Sequence, residues 1–503
     1  MSNAKSLSPC AAPAGEGVMQ SYRAAVRGAE LSRRRGVVLQ VNGLAIEARG
    51  PQAAIGELCR LISRTPGPRG DPAAPAEADS ELLAEVVAVT PDRTILLPYG
   101  STTGLAAGCV VEAAGARADV GVGPGLLGRV IDAFGAPLDG RPPPRLEARV
   151  PLRAASLNPL TRPPVTRVLE TGVRAIDGLL TLGQGQRIGI FSGSGVGKSS
   201  LLGMIARHVR ADVNVIALIG ERGREVRDFI DRHLGAAGLA RSVVVVATSD
   251  QPAPQRLRAT HAALAIAGWF RDAGRQVLFT LDSATRFAMA RREVGLAAGE
   301  PPTARGYTPS VFGELPVLCE RCGPVASGGA ISALFTVLTD RDDLDDDPVA
   351  DALRGCLDGH IVLARDLAQR AHYPAIDVLR STSRLVPVLL DETERGHAQT
   401  VQRLLAELER NRTLVDLGAY QGGSNALLDA ALAAEPGMLE FLQQREGGAA
   451  RADTLARLAN LASQAALAAP GASARPVMAG LPPAAAPAPP GAPQGAIPAR
   501  RFS

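Results

Sequence analysis

The run Arg187-Ile-Gly-Ile-Phe-Ser-Gly-Ser-Gly-Val-Gly-Lys-Ser-Ser200 decides the reading of this 503-residue chain. Arg187–Phe191 is apolar enough for a buried strand, and from Ser200 to Arg207 the pattern turns helical. Between them a glycine-rich loop holds one lysine, the strand–loop–helix setting of a Walker A phosphate loop. Glycines let successive backbone N–H groups turn toward one anion, and the following helix adds its positive end. Lys198 is expected to reach the β- and γ-phosphates and the Ser199 hydroxyl to ligate magnesium. Gly193, Ser194, Gly195, Val196, Gly197 and Ser200 complete the predicted cradle. Ser192 stands where the pattern has its first glycine, and a small residue can still make that turn.

Composition narrows what surrounds this loop. The 54 basic residues exceed the 50 acidic ones by too little for bulk charge to imply nucleic-acid binding. Only two of the 54 are lysines, Lys5 and Lys198, so the folded body has a single lysine and it lies in the loop. The 46% hydrophobic content suffices for sizeable cores. No apolar run is long enough for a membrane span and no secretory leader opens the chain. Six cysteines in such a length make no disulfide scaffold and suit a reducing cytoplasm.

The chain divides by pattern. Residues 1–35 form an N-terminal arm, partly disordered or helical, with Arg23, Arg27, Arg33, Arg34 and Arg35 on a possible short helix from Met19. Residues 36–115 read as a small β domain, from the runs Val37–Leu39, Leu44–Ile46, Val86–Val89 and Thr94–Leu97, interrupted by a Pro/Gly/Ala-rich loop from Thr65 to Ser80. Over 116–390, strands at Arg187–Phe191, Val213–Ile219, Val243–Ala247, Val277–Leu281 and Ile331–Leu338 alternate with helical stretches, the signature of an α/β fold with a parallel sheet. Over 391–469 the period is helical, with Val401, Leu404, Leu405 and Leu408 on one face. Residues 470–503 carry nine prolines in 34 positions and predict a disordered tail.

Phosphate chemistry needs acids at strand ends, where parallel sheets bind ligands. Val277–Leu281 ends in Asp282, a Walker B candidate that would hold magnesium through its water shell. The strand Ala217–Ile219 delivers Glu221-Arg222-Gly223-Arg224-Glu225. Glu221 is the candidate general base, with Glu225 behind it near the magnesium waters.

Four longer strings go beyond a generic phosphate loop. They are Ile219-Gly-Glu-Arg-Gly-Arg-Glu-Val-Arg-Asp228, Gly299-Glu-Pro-Pro-Thr-Ala-Arg-Gly-Tyr-Thr-Pro-Ser-Val-Phe312, Leu357-Asp-Gly-His-Ile-Val-Leu363 and His372-Tyr-Pro-Ala-Ile-Asp-Val378. From about residue 36 to 445 the chain resembles the type III secretion ATPases of injectisomes and flagella, relatives of the catalytic subunit of rotary ATP synthases. The resemblance implies a RecA-like core between an N-terminal β-barrel and C-terminal helices. It also implies a homohexameric ring that hydrolyses ATP with Mg2+ at subunit interfaces, releasing chaperones from export cargo and unfolding it.

Residue by residue, Lys198, Ser199, Glu221 and Asp282 match the family's phosphate, magnesium, catalytic and Walker B positions. Arg222 and Arg286 match arginines of the nucleotide pocket, Tyr373 an aromatic that packs on adenine, and Arg384 an arginine finger for the neighbouring subunit. The implied partners are further copies of the chain, a stator-like regulator at the N-terminus, a central stalk protein and chaperone–effector complexes at the C-terminal helices, and the export gate. The implied place is the cytoplasmic face of the inner membrane, with peripheral membrane association through the arginine-rich arm and no nucleic acid.

Asn214–Leu218 and Val378-Leu379 look more like the injectisome branch than the flagellar one. Three positions depart from the pattern: Asp340-Arg341 for a Glu-Gly pair, Arg380 for a small residue, and Gly423-Ser424-Asn425 for Gly-Ser-Asp. Two other classes stay open: an RNA-translocating ring and a non-catalytic ring subunit. Tyr99 is the one aromatic between Gly36 and Gly115, too few for a base-stacking platform. Glu221 argues for catalysis. Cys319 and Cys322 lack a second pair and read as small apolar side chains on a helix.

Overall fold

The computed structural model describes residues 33–63, 80–154, 158–339 and 347–468. The N-terminal arm up to residue 32, most of the Thr65–Ser80 loop, Asp340-Arg341 with most of the acidic run after it, and the tail from residue 470 lie outside them.

Six strands close a barrel: β1 (Arg35–Asn42), β2 (Ala45–Arg49), β3 (Glu57–Ser63), β4 (Ser80–Val89), β5 (Thr94–Pro98) and β6 (Val110–Arg117), in the order β1-β2-β5-β4-β3-β6. Closure pairs β1 with β6 and leaves no open edge. Period-2 alternation turns Val38, Ile46, Ala48, Leu61, Val86, Leu96 and Val111 inward to its core. The sequence runs named four of these strands. β3 and β6 were missed, because Glu57, Arg60 and Glu112 break up their apolar residues.

The central sheet contains β7 (Arg129–Ile131), β8 (Arg187–Ser192), β9 (Val213–Ile219), β10 (Ser242–Ala247), β11 (Gln276–Asp282), β12 (Ala330–Leu338), β13 (Gly359–Leu363) and β14 (Ile376–Ser383). Their order is β14-β13-β8-β12-β11-β9-β10-β7, and all pair in parallel except β14 on β13. Every residue of β9 is buried, as a strand covered on both faces must be.

Alternation along the strands divides the interior into two cores. Val213, Val215, Ala217 and Ile219 join one, with helices α1 (Ala253–Asp272), α2 (Ala284–Ala297) and α3 (Pro309–Glu320). Ile216 and Leu218 face the other, with the helix Lys198–His208 and three C-terminal helices, Glu392–Asp416, Ala426–Leu442 and Arg451–Ala468.

Asp391 starts the first C-terminal helix by accepting from the Glu394 N–H at 2.8 Å, and Asn425 caps the second. That second helix runs through Pro436 without a break. Cys319 lies in the last turn of α3 and Cys322 follows the helix, both fully buried. Burial pushes the Cys322 thiol up to about 12, which leaves it inert. Among the described residues no helix is long and apolar enough to cross a membrane.

Phe441 fastens the C-terminal helices to the short helix Arg174–Leu179. It is 2% exposed, and its ring tip lies 2.8 Å from where a Cβ on Gly178 would stand. Truncating Phe441 to alanine is expected to cost roughly 3–5 kcal/mol, read from the urea midpoint at unchanged slope.

Candidate functional site

Parallel pairing brings the working residues to one edge. Ser192 aligns with Leu338 and with Leu363, and Leu218 aligns with Asp282, so β8, β9, β11 and β12 end together. Beyond β8 the loop turns through Gly195 and Gly197 at φ 78° and 92°, backbone conformations that favour glycine. The helix then begins at Lys198, two residues earlier than the sequence pattern suggested. Val196 is buried, so it offers the loop's interior only its backbone.

Lys198 Nζ lies 2.5 Å from Asp282 Oδ1 and 3.4 Å from Glu221 Oε1. Burial alone would depress the ammonium; the two carboxylates outweigh it and hold its pKa above the ordinary lysine value. Burial pushes Glu221 up from 4.5 to about 7. Lys198 opposes that rise, whereas Asp282 and Glu225 add to it. A carboxyl poised there suits proton acceptance near neutrality. Asp282 is also fixed from across the sheet, where the fully buried Thr336 hydroxyl donates to its Oδ1 at 2.7 Å.

Gly220, at φ 70°, bends the chain out of β9 toward Glu221. A Cβ there would stand 2.9 Å from Cβ of Arg286, so the arginine stem packs directly on the turn. Arg286 Nε is buried without an acceptor. Arg222 is exposed and pairs with Glu225 at 3.3 Å. Tyr373 covers the loop from the other side, its ring 3.4 Å from a Cβ built on Gly197. Beneath it a cavity of about 350 Å³ is lined by Gly195, Gly197, Ser200, Met204, Tyr373 and Gln444.

Lys198, Ser199, Glu221, Glu225, Arg222, Asp282, Arg286 and Tyr373 thus share one end of the molecule. Arg384 does not. β14 runs antiparallel, with Ser383 opposite Gly359 at the start of β13. The Arg384 N–H donates to the Asp358 carbonyl at 3.0 Å, and Asp358 pairs with Arg187 at the start of β8. From that end to Ser192 is five residue steps of strand, roughly 17 Å. The exposed Arg384 therefore stands at the opposite edge of its own sheet from Lys198.

The donor set fits a nucleotide with a divalent cation. The loop offers backbone N–H groups and an ammonium, Asp282 a hard carboxylate oxygen, and Arg286 a free guanidinium N–H. Sequence reading missed Thr336, Met204 and Gln444. Only Thr336 carried a signal, a hydroxyl in the apolar run Ile331–Leu338.

Comparison with known proteins agrees with this layout. The model of the ATP synthase alpha/beta family, nucleotide-binding domain, matches residues 172–383, and that of the family's beta-barrel domain matches 38–115. The T3SS EscN ATPase C-terminal domain matches 390–460. The flagellum-specific ATP synthase of Bacillus subtilis is 49% identical over 412 residues, 82% of this chain and 91% of the relative. The type 3 secretion system ATPase of Xanthomonas euvesicatoria is 47% identical over 416 residues, 82% of this chain and 90% of the relative. The assembled ATPase EscN from the enteropathogenic E. coli type III secretion system superposes with a TM-score of 0.78 at 40% identity, covering 85% of this chain and all of that one. In complex with its central stalk EscO it gives 0.76 at the same identity and coverage.

The raised Glu221 carboxyl has a stability consequence. Its folded pKa of about 7 exceeds the unfolded 4.5, so the native state holds the extra proton. That stability is present below about pH 4.5 and lost as pH rises to about 7. Glu221→Gln is expected to flatten this part of the pH profile of the urea midpoint, measured without nucleotide. A variant with the wild-type profile would contradict the assignment.

Proposed function

The chain belongs to the ATP synthase alpha/beta family, in the branch of flagellum-specific ATP synthases and type III secretion ATPases, and from that premise we propose that it is the ATPase of a bacterial type III protein export system. The observation that carries the proposal is the Lys198 ammonium between Asp282 and Glu221 at the mouth of a phosphate loop. With ATP in place, Lys198 exchanges its carboxylates for phosphate oxygens. Asp282, kept in place by Thr336, and the Ser199 hydroxyl would hold magnesium, with Glu225 close by. The metal would supply neutralisation of phosphate charge. Glu221 accepts the proton of the attacking water, Arg222 and Arg286 face the phosphates, and Tyr373 packs on adenine.

The cleft has no cation opposite Lys198 from its own Arg384, and a homohexameric ring would provide one from the next subunit. In this proposal the N-terminal region meets a stator-like regulator, and the C-terminal helices meet a central stalk and chaperone–effector complexes beneath the export gate, at the cytoplasmic face of the inner membrane. The solved EscN–EscO complex supports the stalk. Asn214–Leu218 and Val378-Leu379 lean toward an injectisome, while relatives named for the flagellum reach 49% and 52% identity. Neighbouring genes for needle or for hook components would decide between them.

The ring is tested by rate against concentration. Specific activity is expected to rise steeply with protein concentration, and Arg384→Ala to lose about 10³-fold or more in turnover while still binding nucleotide. Lys198→Ala is expected to lose both. Mixing the two inactive variants should restore part of the activity, since some interfaces then combine an intact loop with an intact finger. Full turnover by a strictly monomeric fraction would overturn the proposal.

A further inference from the structure

A cavity of about 210 Å³ lies between the C-terminal half of α1, the strand Ala148–Pro151 and the residue that follows α3. α1 ends at Asp272 and β11 begins at Gln276, so this cavity is at the edge of the sheet opposite Asp282. Val150, Pro151, Leu264, Ala265 and Trp269 give it largely apolar walls. Its volume is below the roughly 300–1,000 Å³ of drug-sized pockets and suits a molecule of a few heavy atoms.

One wall is charged. Arg271 is engaged on all three nitrogens: Nε and Nη2 hold Asp272, and Nη1 donates to the Arg321 carbonyl at 2.9 Å. Arg321 itself is not engaged. It is 7% exposed, yet among the described residues its guanidinium has no hydrogen-bond acceptor and no carboxylate within ion-pair distance. Its nitrogens are not sealed in the interior, and the side chain lines the cavity. Burial pulls the guanidinium down to about 10, so it stays a cation at neutral pH.

A buried cation without a counter-charge is costly, and few persist unpaired in protein interiors. A guanidinium presents a planar fork of donors that matches a carboxylate. Asp272, at the cavity's rim, already balances Arg271, which leaves one positive charge to satisfy and disfavours a dianion. We propose that this cavity binds a short-chain carboxylic acid as its monoanion, with the carboxylate on Arg321 and the alkyl body against Trp269 and Leu264. Such an occupant would clasp α1 to the strand Ala148–Pro151 and to the end of α3, at a site separate from the phosphate loop.

Trp269 is the chain's only tryptophan, so its fluorescence reports on this wall directly. The test titrates the full-length chain with butyrate at constant ionic strength and, separately, with butyramide and with inorganic phosphate. Butyrate is expected to give a saturable change at about millimolar concentration, as so small a ligand allows, and ADP should not reverse it. Butyramide, without charge, and phosphate, without an apolar body, are expected to bind at least about tenfold more weakly. Arg321→Met keeps an unbranched stem and should weaken butyrate binding about tenfold or more. Gly268→Leu fills the cavity from within α1, where a Cβ would meet only Arg271 Nη2, at 3.9 Å, and should abolish the change. Leucine also favours a helix over glycine, so this variant serves where Arg321→Met does not fold. No saturable change, an equal response to butyramide or phosphate, reversal by ADP, or unchanged affinity in the folded variants would each overturn the proposal.

Discussion

An ammonium group between two carboxylates sets the terms for the catalytic end of this molecule. Lys198, Asp282 and Glu221 come from three separate stretches of chain, and each is mostly buried. Charges in such a place persist only when paired, so the loop, the end of β11 and the turn after β9 must arrive together. Parallel pairing achieves this, since strands in register end at one edge. Thr336 adds a constraint that the charges alone do not. Its hydroxyl holds Asp282 from the neighbouring strand, which fixes the carboxylate independently of the lysine.

The same sheet unites the rest of the fold. Because successive residues of β9 face opposite sides, one strand serves two cores, one with α1 to α3 and one with the C-terminal helices. Gln444 shows how closely those helices are tied to the phosphate-loop end. Its backbone N–H donates to the Tyr373 carbonyl at 2.8 Å, its side chain donates to the Gly172 carbonyl at 2.8 Å, and it accepts from the Arg174 N–H at 2.9 Å. A displacement of the C-terminal helices therefore acts directly on the residue that roofs the cavity beside Gly197. This is a contiguous network of hydrogen bonds rather than a remote correlation.

Most of the sheet was legible because a doubly covered strand leaves an unmistakable trace, an unbroken run of Val, Ile and Leu such as Val213–Ile219. The loop was legible through its glycines and its single lysine. The barrel was less so. β3 and β6 interleave charged residues with small ones, and their pairing is set by closure with distant strands, which no local window contains. Pro436 shows the same limit of local reading. Proline disfavours a helix interior locally, but packing of Met438, Phe441 and Leu442 into the core carries the helix through it. Thr336 and Gln444 gain their importance only from cross-strand register and from the meeting of segments far apart in sequence.

Topology also accounts for the placement of Arg384. Had β14 joined the sheet in parallel, its last residues would have emerged beside the phosphate loop, and an arginine there would compete with Lys198 for Asp282 and Glu221. The strand runs the other way, so Arg384 emerges beside Asp358 and the start of β8. The sheet's thickness in strand residues then separates the two cations within one chain. Their charges are kept apart while the cleft is empty, at no cost in mutual repulsion. An arginine so placed can meet a phosphate loop only across a contact between chains. In the proposed ring, the antiparallel edge strand is what would divide the catalytic groups between neighbours.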